Sequence, residues 1–229
     1  DEYYTEELII ALCGQLGTNL SNVSKELKDI LEEDYGYECE IKKLSQYLFE
    51  ENKAIPTDEF DRVKEGMDLG DNIRKKKGYN YLASRAISDI LHSRTVDTPN
   101  EDFERQDFKS RRKCFIINSL KHPKELEALS KVYGVSFYLL GVFSSEKDRK
   151  DNLKKRFAKK HHSKIEDLIK RDDDSEQDNG QKLRKVFVQS DYFIRDSHTN
   201  DKLKDKLARF IDLIFDFGVN TPTVDENAM

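Results

Sequence analysis

The order of apolar runs and amphipathic segments constrains the fold of this chain more than any other feature. Four runs of strand-forming residues lie at positions 7–13, 37–44, 113–118 and 135–143. After the first run, apolar residues recur at the spacing of one helical face, at Leu20, Val23, Leu27, Ile30 and Leu31. Strands that alternate with helices in this way form a parallel sheet covered by helices on both faces. The sequence therefore predicts an α/β fold with three layers and a mostly parallel sheet.

The rest of the chain continues this alternation. Residues 57–94 have the pattern of two helices interrupted near Gly78, and another helix begins near Pro123 and ends at Gly134. We interpret residues 95–110 and the acidic cluster at 172–174 as exposed loops. Further helices are predicted at residues 145–158, 162–171, 177–188 and 200–217, with a short strand at 192–194.

Composition and charge disfavour several classes of protein. The net charge is −5, which disfavours a general nucleic-acid coat. A local basic stretch at residues 147–164 fits either a solvated helix face or an anion-binding surface. The three cysteines form no Cys-x-x-Cys motif, so a disulfide framework or a cysteine zinc site is not expected. No apolar run reaches the ~18–20 residues of a membrane span and no signal-peptide pattern opens the sequence, so we expect a cytoplasmic location and no membrane partner.

The turn after the first strand is the best candidate for a phosphate-binding loop. Backbone amides at the start of a helix, together with the helix dipole, stabilise anionic oxygens there. The usual pattern is Gly-x4-Gly-Lys-Ser/Thr, and this chain has Gly14 and Ser21 at its two ends. Asn19 stands at the second glycine and Leu20 at the lysine, which normally neutralises the β- and γ-phosphates. The alternative is a turn with a purely structural role.

The third strand ends without the acid that holds magnesium in phosphoryl-transfer enzymes of this class. Asn118 occupies that position, and an uncharged amide binds magnesium weakly. Both changes favour binding over catalysis. An active nucleoside monophosphate kinase remains an alternative if Arg149 or Arg156, after the fourth strand, replaces the missing lysine. A third hypothesis is an interaction scaffold that binds protein or an inhibitory RNA through residues 147–164.

Other candidate residues surround the predicted site. His122 follows the third strand, where ligands gather in open sheets, and could contact a bound anion. The basic cluster at residues 74–77 either complements a helix dipole or forms a wall of the nucleotide site. The pair His161 and His162 is predicted at the surface. The full set of predicted nucleotide- or phosphate-binding residues is Gly14, Gln15, Leu16, Gly17, Thr18, Asn19, Leu20, Ser21, Asn118, His122, Arg149 and Arg156; no catalytic or metal-ligating residue is predicted.

Four segments resemble the bacterial anti-phage dCTP deaminases, also described as deoxycytidylate deaminase-related proteins. They are LIIALCGQLGTNL at residues 8–20, IINSLKHPKE at 116–125, LLGVFS at 139–144 and TPTVDENAM at 221–229. The resemblance implies a P-loop domain related to deoxynucleoside monophosphate kinases over residues 1–219. It also implies that residues 220–229 begin a C-terminal zinc deaminase domain. Within the first domain, Gly14, Gly17, Thr18 and Ser21 match the family's loop, and Asn118 matches its altered strand end.

The resemblance also implies a role for the domain. The parent would be a zinc-dependent hydrolase that deaminates dCTP or dCMP in antiviral defence. Its metal centre needs His-x-Glu followed by Pro-Cys-x-x-Cys, and this chain has no such set, so zinc is expected only in the deaminase domain. The P-loop domain would bind a nucleotide and regulate the deaminase of the same protein, and the protein would form a homo-oligomer.

Overall fold

The computed structural model describes residues 7–52, 56–96, 112–173, 182–196 and 200–215. The strands are β1 (Glu7–Cys13), β2 (Glu38–Lys43), β3 (Lys113–Asn118), β4 (Phe137–Phe143) and β5 (Tyr192–Arg195). The helices are α1 (Leu20–Glu33), α2 (Leu44–Asn52), α3 (Glu59–Lys77), α4 (Tyr81–Val96), α5 (Pro123–Tyr133), α6 (Glu146–Arg156), α7 (Ile165–Asp173), α8 (Leu183–Phe187) and α9 (Asn200–Ile214).

The five described strands form one sheet in the order β2-β3-β1-β4-β5. Every neighbouring pair is parallel. The prediction of an α/β protein with a parallel sheet is therefore confirmed. Because all five strands run the same way, their carboxyl ends share one edge, and the connections that follow them meet there.

The central strand β1 packs against helices on both of its faces. Its side chains alternate because successive residues of a strand point to opposite sides. Leu8, Ile10 and Leu12 lie in a core with α1 and α9, whereas Ile9, Ala11 and Cys13 lie in a core with α2, α4, α5 and α8. The three-layer arrangement that the sequence predicts is therefore confirmed.

A third apolar cluster joins helices α3, α6 and α7 beside the carboxyl edge of the sheet. It contains Phe60, Met67, Leu153, Phe157, Ile165, Leu168 and Ile169. Leu16 from the first loop packs against this cluster. The cluster therefore fixes the position of α7 relative to the loop.

Several sequence predictions differ from the structure in detail. Helix α2 was not predicted, and β4 begins at Phe137 because a short 3₁₀ turn occupies Gly134–Ser136. The acidic cluster was wrongly predicted to be an exposed loop, since Asp172 and Asp173 end helix α7 and Asp172 is buried.

Other predictions fall partly or wholly outside the described residues. The predicted loop at 95–110 lies mostly outside the described residues, and residues 220–229 lie wholly outside them.

Within the described parts of the chain, no helix is both long and apolar enough to cross a membrane.

Candidate phosphate-binding site

The loop between β1 and α1 lies at the carboxyl edge of the sheet, as the sequence predicts. It begins at Gly14 and ends at Asn19, which precedes the first residue of α1. A turn within the loop is closed by the Thr18 N–H, which donates to the Gln15 carbonyl at 3.0 Å. The amino end of the 14-residue helix α1 therefore faces this edge with its partial positive charge.

Gly17 has a backbone conformation that other residues rarely adopt. Its φ is +90°, and a Cβ atom built on it would lie 2.7 Å from the Arg149 carbonyl oxygen. Only glycine suits both conditions. The backbone of the loop at Gly17 is therefore in close contact with helix α6.

Neither leucine of the loop closes the site. Leu16 packs against the cluster of α3, α6 and α7, and Leu20 is buried beside Gly14, so both leucines lie in the walls of an open space. All residues from Gly14 to Ser21 line a cavity of about 500 Å³. The loop thus borders a space that can hold a small molecule.

The walls of this cavity are mixed in character. Apolar residues come from α2, α3 and α4, and they include Leu44, Leu48, Phe49, Val63, Met67 and Leu82. Five basic residues line it, namely Lys43, Arg62, Arg74, Lys121 and Arg156, against the two acidic residues Glu59 and Asp172. The excess of basic groups favours an anionic ligand with an apolar part.

Asp172 fills the position next to the loop amides. Its Oδ2 accepts the Leu16 N–H at 2.6 Å, and its Oδ1 lies 3.2 Å from Lys121 Nζ. The Asp172 side chain is only 1% exposed. A carboxylate of the chain itself thus binds donors at the place predicted for a phosphate.

Asp173 holds the same end of α7 through a second set of bonds. It accepts two hydrogen bonds from the Arg149 guanidinium, at 3.1 and 3.0 Å, and one from Gln15 Nε2 at 2.8 Å. Arg149 is buried and is not among the residues that line the cavity. The Arg149 charge is therefore paired with Asp173 of α7 and does not face the cavity.

Lys121 is the basic residue that reaches the loop. It comes from the connection between β3 and α5, and its Nζ donates to the Gly14 carbonyl at 2.9 Å. Leu20 leaves the usual lysine position without a charge, and Lys121 supplies an ammonium group from another element. Arginines after the fourth strand were predicted for this role, whereas Lys121 was not.

Arg156 and Asn118, two of the residues predicted to bind a nucleotide, both line the cavity. Arg156 is partly exposed and forms an ion pair with Glu59. Asn118 is buried, and its Nδ2 donates to Ser24 Oγ at 2.8 Å. The amide of Asn118 therefore ties the end of β3 to helix α1.

Asp196, just after β5, binds the far end of the loop. Its Oδ2 accepts the Asn19 N–H at 3.0 Å and the Ser144 hydroxyl at 3.2 Å. The start of helix α1 is thus held by the sheet, whereas the start of the loop is held by α7.

His122 has a structural place in the fold. Its Nδ1 accepts the Lys124 N–H at 3.1 Å as the cap of α5, and its ring stacks on Tyr79 with centroids 4.8 Å apart. Burial and the nearby cations Arg74, Lys182 and Lys124 lower the pKa of His122 to about 4. The neutral ring is not among the residues that line the cavity.

A second group of polar residues lies at the start of α3. Asp58, Asp61 and His161 bring potential metal ligands within 4.8 Å of one another. However, Asp58 already caps α3 through the Phe60 and Asp61 amides, and Lys160 Nζ lies 3.3 Å from it. His161 is buried and stacked on Phe60, so its predicted place at the surface was wrong. The contacts of this group are those of a helix cap and an ion-paired surface.

The chain has a P-loop kinase-like α/β fold. A shikimate kinase from Bacteroides thetaiotaomicron is similar in structure, with a TM-score of 0.51 and 13% identity over 90% of this chain and 98% of that one. A gluconokinase from Sinorhizobium meliloti 1021 has a TM-score of 0.51 and 14% identity over 91% of this chain and 95% of that one. No protein-family model and no curated protein matches the sequence.

Proposed function

We propose that this domain binds a nucleotide through its phosphates at the loop from Gly14 to Ser21, without transferring a phosphoryl group. One observation supports the proposal above all: the loop lies at the amino end of α1 and borders a cavity of about 500 Å³ that is rich in basic residues. Helix amino termini bind anions through free amides and the helix dipole. The apolar part of the cavity would hold the base or sugar.

The lack of transfer chemistry follows from two positions. Leu20 carries no charge where the lysine of transfer enzymes stands, and the Asn118 amide at the end of β3 is bonded to Ser24. Magnesium held by a strand-end carboxylate neutralises charge that develops during transfer. A site without that carboxylate can still bind a nucleotide, because binding needs only the amides and a nearby cation.

We further propose a regulatory role within a longer protein. The resemblance to anti-phage dCTP deaminases implies that the domain senses a nucleotide and controls a zinc deaminase of the same chain. The proposal agrees with a binding site that lacks the usual catalytic groups. The nucleotides to be tested should therefore include dCTP and dCMP, which are the substrates of the implied deaminase.

Calorimetry with a panel of ribo- and deoxynucleotides tests nucleotide binding. We expect at least one to bind the wild-type domain with a Kd below about 1 mM. Ser21 is exposed in the first turn of α1 and lines the cavity, so Ser21→Glu adds a charge that the helix start tolerates but a phosphate does not. We expect S21E to weaken binding about tenfold or more. S21Q has the same shape as S21E without the charge, so it should weaken binding much less than S21E does.

The result that contradicts the proposal is equally definite. If no nucleotide binds at millimolar concentration, or if S21E and S21Q bind equally well, the loop does not hold the phosphates.

An active kinase is the second candidate, and the position of Lys121 favours it. Its ammonium group lies 2.9 Å from the Gly14 carbonyl and could replace the lysine that Leu20 lacks. A coupled assay of ADP release with candidate acceptors separates the two functions. Turnover that Lys121→Met abolishes would support the kinase, whereas binding without turnover supports the regulatory site.

A further inference from the structure

The contacts of Asp172 are those of a bound anion. One carboxylate oxygen accepts a main-chain amide of the loop at 2.6 Å, and the other lies 3.2 Å from the Lys121 ammonium. An amide and an ammonium group are the donors that a P-loop offers to a phosphate. Because the Asp172 side chain is 1% exposed, these bonds form away from water and are stronger than surface contacts.

The loop has more donors than Asp172 uses. The Thr18 hydroxyl is buried, lines the cavity and has no hydrogen-bond partner among the described residues. The main-chain amides of Gln15, Gly17 and Ser21 likewise make no hydrogen bond to any described part of the chain. A carboxylate has two oxygens, whereas a phosphate group offers three or four. The surplus therefore points to a ligand with more acceptor oxygens than the carboxylate that is present.

A second interaction holds Asp172 in place. Arg149 and Gln15 both bind Asp173, so the end of α7 is fixed to α6 and to the loop itself. Apolar contacts of Leu168 and Ile169 in the cluster of α3, α6 and α7 fix the rest of the helix. The carboxylate is thus positioned by α7 as a whole.

We propose that Asp172 is an internal competitor for the phosphate group of the nucleotide. In the state described here its carboxylate occupies the Leu16 amide and Lys121, and a nucleotide binds only when the end of α7 withdraws. The inference rests on the proposed function, because it assumes that a phosphate binds this loop. A ligand that requires a minor state binds with an affinity reduced by the population of that state. Removing the competing charge should therefore raise the affinity.

The test compares Asp172→Asn with Asp167→Asn. Asp167 is exposed on the same helix, so D167N makes the same change in charge without touching the loop. ATP, dCTP and inorganic tripolyphosphate are each titrated calorimetrically at one fixed ionic strength. We expect D172N to bind at least one of them ~10-fold or more tightly than the wild type, and D167N to match the wild type.

The outcomes separate the inference from the proposed function. If the wild type binds and D172N binds no better, Asp172 is only a structural ion-pair partner of Lys121, and the inference is overturned while the proposed function stands. If neither protein binds any probe, both are overturned. Hydrogen exchange without ligand provides an independent readout, because exchange of the Leu16 amide should accelerate in D172N and stay unchanged in D167N.

A further variant covers the case in which D172N does not fold. Asp173→Asn removes the charge that pairs with Arg149 but keeps Asp172, and the amide oxygen of the new side chain can still accept a hydrogen bond from the guanidinium. It loosens the end of α7 and should raise the affinity in the same direction by a smaller factor. Unchanged affinity in D173N together with unchanged exchange of the Leu16 amide would overturn the inference.

Discussion

Arg74 donates two hydrogen bonds to one carboxylate oxygen of Glu125, at 3.2 and 3.0 Å, and both side chains are buried. The other oxygen of Glu125 accepts the main-chain amides of Lys121 and His122, each at 3.0 Å. This ion pair therefore connects α3 to the segment that carries Lys121. The position of the Lys121 ammonium beside the loop depends on it.

Replacing Glu125 with Gln should strongly destabilise the domain. The neutral amide cannot balance the Arg74 charge, and an unpaired buried charge costs roughly 3–5 kcal/mol. Urea unfolding followed by circular dichroism measures the free energy of unfolding. Glu127→Gln on the same helix is the control, because its pair with Lys124 is exposed to solvent and should contribute little to stability. A loss for E125Q no greater than for E127Q would show that the buried pair contributes little.

Gly17→Ala should destabilise the domain more than an alanine at another glycine with positive φ. The new methyl group would meet the backbone of Arg149 in addition to the strained φ of +90°, and we expect a loss of roughly 2–5 kcal/mol. Gly36 has φ +66° and no atom closer than 3.9 Å to such a methyl group, so Gly36→Ala should cost only roughly 1–2 kcal/mol. Denaturant midpoints of the two variants measure the two losses of stability. Equal losses would mean that the contact of Gly17 with α6 is loose.

The buried His122 should make the domain less stable as the pH falls. Its pKa of about 4 in the fold lies below its ordinary value of 6.5, so between these values the unfolded chain binds more protons than the native one. Stability therefore rises with pH across this window, and the expected loss from pH 7 to pH 5 is about 2 kcal/mol.

His122→Asn isolates this effect, because asparagine can still cap α5 and does not titrate. We expect the variant to lose about 2 kcal/mol less than the wild type between pH 7 and pH 5, as measured by urea unfolding at each pH. Parallel losses in the two proteins would show that His122 does not titrate as described.

The sequence predicted the sheet well because its inner strands are buried on both sides. β3 was predicted with the observed bounds, since a continuous apolar run between polar residues has few other interpretations. Helix α2 was missed because no turn signal separates it from β2, and Leu44 read equally well as the end of a strand.

The loop was found from sequence, but its partners were not. Asp172 stands in a run of acidic residues, which ordinarily indicates exposure, and its partner Lys121 lies 51 positions earlier in the chain. The one available signal for Lys121 was its place just after a buried strand, at the edge where the loop also lies. Contacts of this kind arise from the packing of α7, which local patterns do not encode.

The two halves of the loop are held by different parts of the fold, and Asp196 holds the second half. Its bond to Asn19 belongs to the sheet, whereas the bond to Leu16 comes from α7. If α7 moves, the first half of the loop loses its partner while the start of α1 keeps its own. A ligand could therefore replace α7 as the partner of the first half of the loop without disturbing the start of α1.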